Sequence, residues 1–416
     1  MSAVASKAPV EKKSTGSPLA GMANDYIGKL RAGDMGALPA TLALVALCVG
    51  FWIAQPVFMS ERNFANLFTQ GAAGAVIAMG LIFVLLLGEI DLSAGFASGV
   101  SAGVLAVVMT NHGWPWYAAI AVAIVTGLFI GLCIGTIVVK LGIPSFVVTL
   151  AAFMALQGVA LKIMNNGTII SVKDKTVLGI ANKNVPPAVG WVLFAVLVAG
   201  FAFIEIRKAR TRISRGLANR GMTVAYVRII GLAIILGFAV FVLNGERSQN
   251  PTFASLKGMP YVVPLIGVLL IVWTFVLNRT TFGRHIYAVG GNQEAARRAG
   301  INVDKIKVLA FVICSAMAAI GGIIAASRAN SVDPNTGGSD VLLKAVGAAV
   351  IGGTSLFGGR GRIIDAVLGG AVVAVIDNGM GLMGYSAGTK AIVTGSVLLL
   401  AAGVDALSRK RALPGR

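Results

Sequence analysis

Two carboxylates follow directly on an apolar run of eighteen residues, in Gly88-Glu89-Ile90-Asp91-Leu92-Ser93-Ala94-Gly95. A charge beside a membrane is costly unless it reaches water or hydrogen-bond partners, so an acidic pair at the end of such a run is a candidate for function. Asp91 and Ser93 also have a plainer use. Either oxygen can cap a helix that starts at Ala94 and satisfy its free backbone N–H groups. From the residues alone, cap and pathway or gate both stay open.

A second constellation is Gly290-Gly291-Asn292-Gln293-Glu294-Ala295-Ala296-Arg297-Arg298-Ala299-Gly300. Asn292 is a good N-cap, Glu294 suits the first turn, Arg297 and Arg298 suit the last, and Gly300 suits the position after the C-cap. The spacing predicts a short helix over Asn292–Ala299. Two turns are unstable alone in water, so this helix needs a docking surface, on its own membrane domain or on a partner. A third motif, Ile351-Gly352-Gly353-Thr354-Ser355-Leu356-Phe357-Gly358-Gly359-Arg360-Gly361, invites a phosphate-loop reading. It lacks GKS or GKT and a preceding strand, so its glycines predict a tight turn at a helix end instead.

Catalytic chemistry finds little material. The chain has two histidines, His112 and His285, and three cysteines, Cys48, Cys133 and Cys314, each in a different apolar run without CxxC spacing. The cysteines read as small core hydrophobes, and neither a metal site nor a Ser-His-Asp triad is expected. No catalytic residue and no bound cofactor is expected of this chain. The formal charge of +19 would suggest nucleic acid in a soluble protein. Here Lys and Arg fall between apolar runs with no aromatic interleaving, which points to contact with anionic membrane lipid and away from nucleic acid.

The elements that must carry these motifs are membrane helices. Of 416 residues, 56% are apolar and 12% charged, and the mean hydropathy is +0.85; a bilayer is the solvent that tolerates this. Apolar runs of spanning length recur near 37–56, 71–88, 94–110, 117–139, 145–162, 187–204, 227–243, 260–278, 306–327, 341–357, 364–383 and 390–407. They predict an all-α, polytopic bundle of about twelve spans, ten to twelve, with both termini cytoplasmic. Residues 1–35 predict a disordered cytoplasmic tail, 36–408 the membrane domain, and 409–416 a basic cytoplasmic tail.

Positive charge tests that count. With twelve spans, the N-terminal tail, a basic loop at 205–226, the loop 290–305 with its flanks, Arg360, Arg362 and the C-terminal tail all fall on one side. One loop disagrees: 163–186, placed outside, holds Lys173, Lys175 and Lys183. The runs 94–110 and 341–357 are short and glycine-rich, and predict partial or re-entrant helices beside the pathway. Gly127, Gly131 and Gly135 share one helix face, which predicts close helix packing.

At these motifs the chain resembles the permease subunits of bacterial ABC importers for monosaccharides, the ribose/xylose/branched-chain amino-acid permease family. The resemblance runs from about Asn63 to Ser408. It rests on Glu89-Ile90-Asp91-Leu92-Ser93, Pro144-Ser145-Phe146-Val147-Val148-Thr149-Leu150, Phe282-Gly283-Arg284-His285-Ile286-Tyr287-Ala288-Val289-Gly290-Gly291-Asn292, Gly300-Ile301-Asn302-Val303 and Ile351-Gly352-Gly353-Thr354-Ser355-Leu356. The extra helices around 205–226, and Asp377-Asn378-Gly379-Met380, make it most similar to xylose-type members. Phe357 and Arg360 stand where smaller residues are expected of relatives.

The resemblance implies a transport subunit in a bacterial cytoplasmic membrane, without an ATPase site of its own. It implies that Asn292, Gln293, Glu294, Ala295, Ala296, Arg297, Arg298 and Gly300 form the element that couples to a separate ATP-binding cassette subunit. It implies a second permease copy around one pathway and an extracytoplasmic sugar-binding protein that delivers the ligand, D-xylose or a related sugar. Glu89, Asp91, Ser93, Phe146 and Asn378 are the candidates for the pathway or its gate. The rival readings are an ion-coupled secondary sugar carrier, which needs ionisable groups within the membrane, and a membrane enzyme, which needs a nucleophile with a base.

Overall fold

The computed structural model describes residues 36–165, 167–216, 221–248 and 255–412. The tail expected at 1–35 and the last four residues of the one expected at 409–416 lie outside them. The described residues carry fifteen α-helices and four two-residue strands. In chain order they are α1 (Leu38–Ala54), α2 (Glu61–Leu86), α3 (Ala94–Ala106, continued by a π-turn, Val107–Asn111), α4 (Trp116–Leu141), α5 (Ser145–Ile163), β1 (Ile170–Ser171), α6 (Lys175–Asn182), β2 (Asn184–Val185), α7 (Pro187–Ser214), α8 (Gly221–Leu243), β3 (Met259–Pro260), α9 (Val262–Arg279), α10 (Thr281–Gly291), α11 (Gln293–Arg298), α12 (Val303–Ala329), β4 (Ser331–Val332), α13 (Ser339–Ile351), α14 (Ile363–Leu382) and α15 (Ala387–Ala412).

Every predicted apolar run contains one of these helices. Among the described residues nine are long and apolar enough to cross a membrane, and two shorter apolar helices lie at Leu38–Ala54 and Ala387–Gly403. The run at 341–357 holds only the thirteen-residue α13, about 20 Å of helix against about 30 Å of hydrocarbon, too short to cross the layer alone. The run at 94–110 differs. With its π-turn it reaches eighteen residues, long and apolar enough to cross a membrane. The basic stretch 205–226 is also not a loop throughout: α7 stays helical to Ser214 and α8 begins at Gly221.

The chain divides into two compact units. In the smaller, α7 and α8 carry Trp191–Ala239, and the buried Glu205 receives Lys208 at 2.7 Å and Arg228 at 3.2 Å. Two cations on one carboxylate offset the cost of burying it.

The larger unit, 36–190 with 240–407, is built around α2 and α12. The glycine face of α4 is what brings it against α12. A Cβ at Gly127 would lie 2.6 Å from the Ser315 carbonyl, one at Gly131 2.5 Å from that of Phe311, and one at Gly135 2.9 Å from the Val308 Cα. Backbones approach this closely only where side chains are absent, as membrane helix association requires. Large apolar side chains such as Phe129, Met154, Phe275 and Leu399 stay exposed on the outside, the reverse of a water-soluble core and suited to lipid. The segment 163–186 pairs through β1 with β4 (Ile170↔Val332) and through β2 with β3 (Asn184↔Pro260). Because β4 follows the far end of α12 whereas α10 and α11 precede its start, Lys173, Lys175 and Lys183 of this segment sit at the opposite end of the unit from α10 and α11.

Candidate functional site

Three motifs distant in sequence meet at one end of the larger unit. Helix α2 closes in a Schellman turn: Gly88 takes φ +73, its N–H donates to the Leu85 carbonyl, and the Glu89 N–H donates to that of Val84. The carbonyl of Leu86 then accepts the Gly359 N–H at 2.8 Å. Against this contact lies α10, where a Cβ at Gly290 would stand 1.8 Å from the Leu86 carbonyl and 2.9 Å from the Gly359 nitrogen. Tyr287 of α10 donates its hydroxyl to the Gly361 carbonyl at 2.8 Å. Glu89 holds Lys307, in the first turn of α12, at 2.6 Å, with only 17% and 14% of the two side chains exposed.

The glycine-rich segment 352–361 is the turn that its composition predicts, with positive φ at Gly353, Gly358, Gly359 and Gly361. It is fixed from its other side by the start of α14. There Asp365 accepts the Arg362 N–H at 2.8 Å, a charged Arg362 contact at 3.0 Å and the Thr354 hydroxyl at 3.3 Å. The end of α2, the α10–α12 segment and the α13–α14 connection are thus tied to one another by backbone contact and by an enclosed ion pair.

The short helix expected at Asn292–Ala299 is present as α11. Asn292 accepts the Ala295 N–H at 2.9 Å, and the Gly300 N–H donates to the Arg297 carbonyl while that of Ile301 donates to Ala296, closing a second Schellman turn. Gly300 has the required φ of +81. Only Ala296 is buried; Asn292, Gln293, Glu294, Ala295, Arg297 and Arg298 are all exposed. The Glu294–Arg298 and Arg297–Asp304 pairs are long, 3.7 Å each, and solvent-exposed, so they restrain these charges weakly.

The motif around Ser145 is attached to the acidic one. The Ile90 N–H donates to the Ser145 hydroxyl at 3.2 Å, and the Thr149 hydroxyl donates to the Ile90 carbonyl at 3.1 Å, so α5 grips both polar groups of that residue. Asp91 is fully buried and accepts both the N–H and the hydroxyl of Ser93. Burial pushes its carboxyl above the usual range, against the Ser93 contacts and the neighbouring Cys314 thiol. The capping expectation is corrected in one respect. Ser93 caps nothing with its side chain; Asp91 makes the turn that leads into α3. Phe146, on α5, is half exposed.

Asn378 lies elsewhere, far toward the other end of α2. It exchanges two amide hydrogen bonds with Asn63, at 2.8 and 2.9 Å, and donates to the Gln70 side-chain oxygen at 3.2 Å. The five pathway candidates therefore do not form one site. Glu89, Asp91 and Ser93 belong to the junction, while Asn378 braces α14 on α2 about 24 Å further along that helix. Sequence reasoning passed over Lys344, which binds Asp377 at 2.6 Å and Asp340 at 2.9 Å. Its signal was available, since a lone lysine inside the run 341–357 needs a partner within the membrane layer.

Comparison with known proteins agrees with this architecture. The family model described as "Branched-chain amino acid transport system / permease component" matches residues 63–402. The chain is 37% identical to the xylose transport system permease protein XylH of Escherichia coli over 370 residues, 89% of this chain and 91% of that one. It is 32% identical to XylH of Haemophilus influenzae over 92% of this chain and 99% of that one. It is 29% identical to the ribose import permease protein RbsC of Escherichia coli over 91% and 96%. No solved structure matches. The chain is a multi-pass protein of the inner membrane, and by its matched length and its relatives it belongs to the branched-chain amino acid transport system permease family.

Proposed function

We propose that this chain is the membrane-spanning subunit of an ATP-driven importer of a monosaccharide, D-xylose in the first instance, and that α11 is where a separate ATP-binding subunit docks. The names and overlap of the xylose and ribose relatives support the substrate class. One observation carries the coupling assignment: α11 is a capped, two-turn helix that buries only Ala296 and leaves its polar face open. Such a helix has a surface to offer, and opposite charges at its ends suit polar contacts in a groove of a partner. The junction behind it gives a force on α11 a route into α2, α12 and the α13–α14 connection. In this reading the basic end faces the cytoplasm, a second copy completes the pathway, an extracytoplasmic sugar-binding protein supplies ligand, and this chain hydrolyses nothing.

The Lys344–Asp377 pair is the one observation that favours an ion-coupled carrier, since such carriers place ionisable groups within the membrane. Vesicles containing the chain with its ATP-binding and sugar-binding partners separate the two. The expected result is D-xylose uptake that requires ATP and survives collapse of ion gradients by ionophores. Replacing Glu294 and Arg297 together is expected to release the ATP-binding subunit while the permease accumulates normally. Uptake driven by an ion gradient without ATP would refute the proposal.

A further inference from the structure

A cavity of about 840 Å³ lies between α2, α12, α13, α14 and α15, under the loop that follows β4. It is within the roughly 300–1,000 Å³ typical of small-molecule sites. Gly and Ala, among them Gly71, Gly74, Gly370 and Ala374, make up part of its walls and leave space that larger side chains would fill. The rest of the lining is rich in polar and charged groups. Lys344 stands between Asp377 and Asp340, each of which places one oxygen on the ammonium. Gln70 has its oxygen engaged by Asn378, which leaves its amide N–H groups for the cavity. The Thr394 hydroxyl, on the α15 wall, is buried without a hydrogen-bond partner.

Charge on the lining balances. Arg328, Lys344 and Lys390 face Asp333, Asp340 and Asp377. A balanced field neither attracts nor repels an ion strongly, whereas adjacent fixed donors and acceptors match the vicinal hydroxyls of a neutral polyol. We infer that this cavity is a monosaccharide-binding vestibule on the transport route, with the Lys344–Asp377 pair and Gln70 meeting the sugar's hydroxyls. The inference rests on the reading of the chain as a sugar importer. It also assigns Asn63 and Asn378 as positioning residues, because their paired amides fix Gln70.

The test uses the full complex in vesicles. Val341 lines the cavity and is half-buried, so Val341→Cys offers a thiol there to a membrane-impermeant reagent, measured above the labelling of the wild-type chain, whose three cysteines are buried or half-buried. D-Xylose at saturation should slow that labelling, and leucine should not. Asp377→Asn should raise the KM for xylose uptake about 10-fold, the loss expected for one charged hydrogen bond. If that variant does not accumulate, Gln70→Ala takes its place with the same expected direction. Uptake by the wild type with an unprotected thiol would overturn the vestibule alone, as would an unchanged KM. Protection by leucine instead of xylose would overturn the ligand class. Failure of the wild-type complex to import xylose would overturn both the vestibule and the function on which it rests.

Discussion

Two adjacent glycines at the end of α10 provide a sharp test of the junction, because they differ only in what stands over them. A Cβ at Gly291 meets nothing within 4 Å, whereas one at Gly290 falls 1.8 Å from the Leu86 carbonyl oxygen and 2.9 Å from the Gly359 nitrogen. Both obstacles are backbone, so no side chain can rotate away. To restore ordinary contact, α10 and the end of α2 would have to part by about 1.6 Å. Overpacking of this kind costs about 1–3 kcal/mol, and loss of the Gly359–Leu86 hydrogen bond adds about 1 kcal/mol. Alanine returns about 1 kcal/mol of helix propensity at either position. The net is about 1–3 kcal/mol against docking for Gly290→Ala, a fall of roughly 5- to 150-fold in the ratio of docked to undocked segment, and no cost for Gly291→Ala. Hydrogen exchange reads this directly: the Gly359 amide should exchange faster in Gly290→Ala and unchanged in Gly291→Ala. ATP-dependent uptake should fall in the first variant and stay at the wild-type level in the second. Equal exchange and equal uptake in the two variants would refute the reasoning, since it would show that α10 does not bear on Leu86.

Two further outcomes are expected. Lys307→Glu should lower the amount of folded permease and its uptake, because it sets two carboxylates together where 14% and 17% of the paired side chains were exposed; Glu89→Lys in the same chain should restore part of the loss, measured by abundance and uptake, whereas additive losses would deny the pair a role. Glu246 accepts the Leu256 N–H, the Ser255 hydroxyl and the Ser248 N–H, which hold its carboxyl down to about 2. A carboxyl lowered by folding stabilises fully above its ordinary value near 4.5 and loses that contribution as pH falls toward about 2. Proteolysis at 244–248 and 255–258 should thus be constant from pH 7 to 5 and rise below about 4, with Glu246→Gln cleaved readily throughout; a wild-type profile that is flat in acid would count against the anchoring role.

What the linear chain determined was local or compositional. Apolar runs announced a membrane bundle because a bilayer admits little else, and α11 was legible from Asn292 to Gly300 because caps are satisfied by groups three to five positions away. The glycine face of α4 was legible for the same reason, as 3.6 residues per turn place Gly127, Gly131 and Gly135 together whatever they touch. The tertiary structure decided the partners. Nothing in the order of residues says that Glu89 meets Lys307, that Ser145 and Thr149 hold Ile90, or that Gly290 lies on Leu86. It also divided the pathway candidates, sending Asn378 to brace Gln70 and leaving Glu89 and Asp91 at the junction. The physical reason is that burying a polar group demands a partner, which sequence can foretell, while the choice of partner depends on which helices pack together, and that is settled by contacts summed over the whole unit.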